Sequence, residues 1–145
     1  MAKPLNEQQK KLLLLLGSES EEIRKQGRLL FEALGLDCFR GADLREQTLR
    51  YADFSGADLQ AVDLSRSDLK HIEWSHVNLQ DATLVGADMQ WACLKQCNMN
   101  GVDLQYTNLL DARFHESSLR GSNLNNTTLI WAWFDRTETE GSTFI

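Results

Sequence analysis

Aspartates recur in this chain at intervals that would stack their carboxylates if the chain coils. Asp43, Asp63 and Asp103 lie at multiples of twenty residues, with Thr83 between them, and Asp68 and Asp88 repeat the spacing. Stacked carboxylates could bind Ca²⁺ or share protons. Asp, Asn, Thr and Ser are also the types whose side chains bond nearby backbone amides at turns, and a chain that turns at every repeat favours that role. His71 and His76 lie one repeat apart and His115 stands alone. Metal ligation requires convergence with Cys or carboxylate ligands, whereas adjacent sides of a coil point apart, so these read as surface histidines. Cys93 and Cys97 have C-x3-C spacing. The register turns Cys97 inward as a small core filler and Cys93 outward, with no cationic or catalytic group placed to activate it. No nucleophile–base pair, phosphate loop or zinc signature is present. The expectation is a protein that is not an enzyme, with no catalytic residues, metal or cofactor.

The outward aromatics form a sharper pattern. Tyr51, His71, Trp91, Asp111 and Trp131 follow one another at twenty-residue intervals, with Leu110, Ile130 and Trp133 beside the C-terminal end and Tyr106 one side away. In a coil, successive members of this line would lie about 4.8 Å apart. Contiguous exposed apolar surface marks contact sites, and Trp and Tyr are favoured interface anchors. These nine residues are the candidate partner-binding surface, and the partner expected is another protein or a second copy meeting the C-terminal end. A further reading has residues 137–145 folding back over part of this corner.

What must position these residues is a repeat of five. From Asp37 to Arg136 a bulky apolar centre recurs every fifth residue without insertion, beginning Phe39, Leu44, Leu49, Phe54 and ending at Phe134. Two residues before the centre the residue is small in most repeats, most often Ala, Val, Ser or Thr, and between them lies Asp, Asn or Thr in most repeats. A period of five fits neither a helix nor a flat strand; it fits a chain that turns a corner every five residues. Every fourth centre gives Phe54, Trp74, Leu94, Phe114 and Phe134, four of them aromatic, whereas the other columns hold only Phe39. A period of twenty therefore hides inside the period of five, predicting four sides and about five coils, roughly 24 Å of stack at the usual strand spacing. Stacking buries an apolar ladder that no single coil could bury.

Ahead of the repeats, residues 5–16 read as a helix stopped by Gly17 in a left-handed conformation. Ser18 and Glu21 have capping-box spacing, and a second helix runs to Leu34, closed by Gly35, with an apolar stripe of Ile23, Leu30 and Leu34 flanked by Leu29 and Phe31. A solenoid end exposes apolar side chains and unpaired backbone. The organisation expected is 1–36 as an N-terminal helical pair and cap, 37–136 as the solenoid, and 137–145 as a C-terminal cap or tail.

The motifs Ala42-Asp43-Leu44-Arg45-Glu46, Ala57-Asp58-Leu59-Gln60-Ala61 and Ala87-Asp88-Met89-Gln90-Trp91 resemble the pentapeptide-repeat family, over 100 of the 145 residues. The resemblance implies an all-β solenoid, a right-handed quadrilateral β-helix, here with an α-helical cap. It implies no single activity, because fold is not function. The function expected is a non-catalytic scaffold for protein–protein interaction through the aromatic and apolar corner. Members that confer fluoroquinolone resistance suggest the alternative, a nucleic-acid-mimicking binder of topoisomerase (gyrase). Against it, the charge over the repeats is only −5 and is interrupted by Arg40, Arg45, Arg50, Arg66 and Lys70. The repeats also lack the loop insertion and C-terminal dimerisation helix of such members.

The formal charge of −6 divides as +1 over residues 1–36, −5 over 37–136 and −2 from Glu138 and Glu140. No basic stripe argues for direct nucleic-acid binding. Leu12–Leu16 is too short for a signal-peptide core, and nothing approaches the roughly 20 apolar residues of a membrane span. Three unpatterned cysteines then point to a reducing, cytoplasmic setting away from membranes.

Overall fold

The computed structural model describes residues 1–145. Its repeats build ladders rather than long strands. Four three-residue strands, β1 (Glu73–Ser75), β2 (Cys93–Lys95), β3 (Arg113–His115) and β4 (Trp133–Asp135), form a parallel sheet in chain order. Trp74 faces Leu94, Leu94 faces Phe114 and Phe114 faces Phe134, a step of twenty residues. Three further parallel ladders take the same step. One runs Asp43, Asp63, Thr83, Asp103, Asn123, Thr143; another Thr48, Asp68, Asp88, Asn108, Thr128; the third Asp58, Asn78, Asn98, Ser118, Glu138. Ladders recurring every five residues and closing every twenty are the architecture of a β-helix.

The corners carry a backbone signature. Every fifth residue from Gly41 to Gly141 has positive φ, between 51° and 75°. Six of these corners are glycine, and the other fifteen hold side chains in a conformation that costs an L-residue roughly 1–2 kcal/mol. Inter-coil hydrogen bonds offset that cost, as where the Trp91 N–H donates to the Leu110 carbonyl at 2.9 Å.

The repeat centres and the small residues two before them fill the interior. Phe54, Trp74, Leu94 and Phe114 are all buried, and the Trp74 indole N–H is satisfied by the Ala52 carbonyl at 2.8 Å. At most positions where the small residue is polar, its hydroxyl finds a carbonyl in the coil before it; Thr127 donates to Leu124 instead. Ser67 donates to Leu44, Thr107 to Leu84 and Ser122 to Met99. No buried side-chain nitrogen or oxygen lacks a partner, as burial of polar groups demands.

Helix α1 spans Glu7–Leu16 and α2 spans Glu21–Leu34. Several local expectations are corrected. The capping box belongs to α1, where Asn6 and Gln9 exchange side-chain-to-backbone bonds. The N-cap of α2 is Ser20 rather than Ser18; the Ser18 hydroxyl accepts from the Ser20 N–H instead. Gly17 has φ −89°, not a left-handed conformation. What it requires is space, because a Cβ there would run into the Thr48 carbonyl oxygen. The buried face of α2 is Gly27 and Phe31, while Ile23 and Leu29 lie exposed.

These helices sit on the first turns of the ladder. Phe31 is fully buried, its ring 5.5 Å from Phe39 and 5.4 Å from Phe54. Arg28 donates to the Asp53 and Ser55 carbonyls, groups that elsewhere accept from the preceding coil. Lys3 adds a parallel bridge to Ala42, its N–H donating to Gly41 and its carbonyl accepting from Asp43, both at 2.7 Å. At the other end, residues 137–145 continue the ladders, with Glu138 paired to Ser118 and Thr143 to Asn123. The Phe144 ring there meets Phe134 edge-on at 6.4 Å. No helix is long and apolar enough to cross a membrane.

Candidate functional site

The acidic rows are occupied by structural work. Asp43, Asp58, Asp63, Asp68, Asp88 and Asp103 each accept a hydrogen bond from the backbone N–H two residues on. Asn78, Asn98, Asn108 and Asn123 do the same. Their second role is to pair with cations: Arg45 with Asp43 at 2.7 Å, Arg50 with Asp68 at 2.6 Å, Lys70 with Asp88 at 3.0 Å and Arg40 with Asp58 at 3.5 Å. The Arg45 guanidinium, helped by its own backbone N–H, holds the Asp43 carboxyl below the usual range. Arginines and lysine thus neutralise much of the row the sequence displays as acidic.

No three His, Cys, Asp or Glu side chains converge as metal ligands. His115 pairs with Asp135 at 2.7 Å and His76 lies exposed one side from His71. Cys97 is buried, its sulfur near the Trp74 and Lys95 carbonyls, and burial pushes its thiol up to about 11. Cys38 is pushed up to about 11 by burial and by neighbouring Asp37. Cys93 lies half-buried at the start of β2, and all three thiols are free.

The aromatic line is where the surface departs from the repeat. Tyr51, His71 and Trp91 occupy equivalent corners with φ near 60°. Their rings are parallel: Tyr51 to His71 at 5.1 Å and 5°, His71 to Trp91 at 4.7 Å and 7°. One ring per coil makes a continuous stack, because the backbone already sets a spacing close to that of stacked aromatics. Helix α2 closes the stack at its N-terminal end, the Arg24 guanidinium lying over the Tyr51 ring at 5.2 Å. That contact was not legible from the repeat, because the seat of α2 lies outside the periodic pattern.

Toward the C-terminus the line changes character. Asp111 takes the next corner and interrupts the stack; its carboxylate accepts no hydrogen bond, and Arg113 stands 3.8 Å away. Trp131, at the corner after it, stacks on no ring and is 74% exposed, with Trp133 at 64% and Ile130 at 57%. Leu110 is half-buried beside Asp111, and Tyr106, on the neighbouring side, is exposed at a corner of its own. The nine residues therefore form a closed stack of Tyr51, His71 and Trp91, then an open apolar group around Trp131, with Asp111 between them and Tyr106 apart.

The family model for the pentapeptide repeat region matches residues 68–144, and that for pentapeptide repeats (8 copies) matches residues 38–72. Among solved structures the chain is similar to Rfr23, a pentapeptide repeat protein from the cyanobacterium Cyanothece 51142. The two are 20% identical over 83% of this chain and 99% of that one, with a TM-score of 0.37. It is similar to HetL, a pentapeptide repeat protein involved in heterocyst differentiation regulation from Nostoc sp. strain PCC 7120, at 25% identity, 72% and 58% coverage and a TM-score of 0.34. It is also similar to a trypsin-treated variant of QnrB1, a plasmid-mediated fluoroquinolone resistance protein, at 20% identity, 74% and 68% coverage and a TM-score of 0.30. No curated protein matches the chain.

Proposed function

The chain belongs to the pentapeptide-repeat family, and from that premise we propose that it is a non-catalytic scaffold for protein–protein interaction. It binds through the corner formed by Trp131, Trp133 and Ile130 together with the Tyr51–His71–Trp91 stack. The observation that carries this reading is the exposure of Trp131, Trp133 and Ile130 side by side at 74%, 64% and 57%. Burying such side chains against a partner is worth about 25 cal/mol per Å² of apolar surface, and aromatic anchors commonly dominate interface energetics. Trp131 also occupies a positive-φ corner that glycine would fill without strain, so its indole adds nothing that the turn requires.

In this reading the ladders wind as a right-handed square coil of about five turns over residues 37–136. Residues 1–36 cap one end and 137–145 finish the other. The protein works in the cytoplasm, where its three free thiols stay reduced. The partner is a foreign protein or a second copy meeting the C-terminal end, where Leu129 and Phe134 are only partly covered. The rows of paired Arg and Asp speak against the nucleic-acid-mimicking alternative, since mimicry needs an unbroken negative surface.

The test replaces Trp131 and Trp133 by Ser. Sedimentation velocity reads self-association, and side-by-side capture of wild type and variant, followed by reconstitution with each purified candidate, reads foreign partners. Loss of association with an unchanged circular dichroism spectrum supports the reading; association as strong as wild type overturns it.

A further inference from the structure

The interruption of the aromatic line at Asp111 has a specific shape. Corners 91, 111 and 131 are stacked in register, the Trp91 N–H donating to Leu110 and the Asp111 N–H to Ile130, both at 2.9 Å. Their φ angles, 59°, 52° and 57°, are nearly equal. The register therefore sets Trp131 two coils beyond Trp91, about 9.6 Å at the usual strand spacing. A ring at the middle corner would complete the stack, as His71 does between Tyr51 and Trp91. Asp111 is too short to do so and puts a carboxylate rather than a ring at the middle corner.

From this geometry we propose that the gap over Asp111, between Trp91 and Trp131, is a slot for one arginine side chain of a protein partner. The inference rests on the scaffold reading above and names the chemistry of its partner. A guanidinium is flat, stacks on aromatic faces, and offers a fork of donors to a carboxylate. Lysine supplies charge without a plane, and a neutral ring supplies a plane without charge. The molecule already uses the same contact at the other end of the line, where Arg24 closes the face of Tyr51. The Asp111 carboxylate keeps its lone pairs available: it accepts no hydrogen bond, and its ion-pair partner Arg113 stands 3.8 Å off, beyond hydrogen-bond range. Leu110 and Ile130 flank the slot with apolar surface.

The experiment titrates acetyl-Gly-Arg-Gly-amide into the isotope-labelled full chain and follows the indole N–H resonances of Trp91 and Trp131. The same peptide frame carrying citrulline, lysine or phenylalanine serves for comparison. The expected result is a saturable shift of both indoles with the arginine peptide, several-fold weaker for citrulline, lysine and phenylalanine, and several-fold weaker for arginine in the Asp111→Asn variant. No saturable shift, equal affinity for the citrulline, lysine or phenylalanine peptide, or an unchanged titration in Asp111→Asn each overturns the proposal. Its failure is separable from failure of the scaffold reading. Loss of association in the Trp131→Ser/Trp133→Ser protein, with no arginine preference, sinks the slot and keeps the scaffold. An intact association in that variant sinks the scaffold instead.

Discussion

Replacing Phe31 by Ala removes the fully buried side chain that α2 inserts into the open end of the coil, where Leu30 and Leu34 pack only partly. The Phe31 ring is fully buried, tilted against Phe39 at 5.5 Å and 52°, and edge-on to Phe54 at 5.4 Å and 70°. The site has little freedom to collapse. Arg28 pins the helix to the Asp53 and Ser55 carbonyls, and a side chain at Gly27 would strike Leu15 of α1. A Phe→Ala truncation in such a core costs about 3–5 kcal/mol, a large share of the roughly 5–15 kcal/mol that holds a domain together. Repeat proteins transmit such losses mainly to neighbours, so the damage should concentrate in the helices and the first coil. Urea denaturation followed by far-UV circular dichroism measures the loss, and amide hydrogen exchange locates it. The expected pattern is accelerated exchange at α1, α2 and the Phe39–Phe54 segment, with β2, β3 and β4 still protected. A loss below about 1 kcal/mol, or one spread evenly along the coils, would refute the idea that the helices act as a cap.

Asp111→Tyr should complete the stack, adding ring contacts to Trp91 and Trp131 worth about 0.5–1.5 kcal/mol each. The strained corner and the lost pairing with Arg113 take back part of that gain. The urea midpoint should rise, and a lower midpoint would contradict the register drawn for the slot. Trp131→Gly relieves roughly 1–2 kcal/mol of corner strain while loosening the unfolded chain by about 0.4–1 kcal/mol. Its midpoint should hardly move, whereas His71→Gly, which loses two stacked neighbours, should be destabilised; equal midpoints for the two variants would count against the stack. Burial holds the Cys97 thiol protonated to about 11, against 9.0 for a free thiol. A folded-state pKa raised in this way gives stability that is fully present below pH 9 and falls as pH rises toward 11. Wild type should therefore lose about 1 kcal/mol more than Cys97→Ala between pH 8 and 10; parallel curves in urea melts would contradict it.

The periodic part of the molecule was legible because one physical requirement repeats. Each centre from Phe39 to Phe134 must face inward, and the aromatic preference at Phe54, Trp74, Phe114 and Phe134 exposed the twenty-residue step that the register of β1–β4 displays. The line from Tyr51 to Trp131 was legible for the same reason, as a column. Its division was not, because the interruption at Asp111 and the closure by Arg24 depend on side-chain length and on where α2 rests. Residues outside the repeat were read least well. Ser18 and Ser20 are both plausible caps, and only tertiary placement selects Ser20. Lys3 carries no strand pattern, yet it pairs with Ala42 because the first coil leaves backbone groups open there. Gly17 does end α1, but not in the left-handed conformation expected of it; close approach to Thr48 is what demands a glycine there.

Hydroxyl-radical footprinting reports whether a partner covers the Trp131 corner. The dilute purified chain is compared with the same chain in concentrated lysate of its source, using Leu14 and Leu29 on the helices as equally exposed controls. Trp131 and Trp133 should be protected in lysate while Leu14 and Leu29 oxidise at unchanged rates. Equal oxidation of both tryptophans in the two settings, or protection confined to the helices, would contradict docking at this corner.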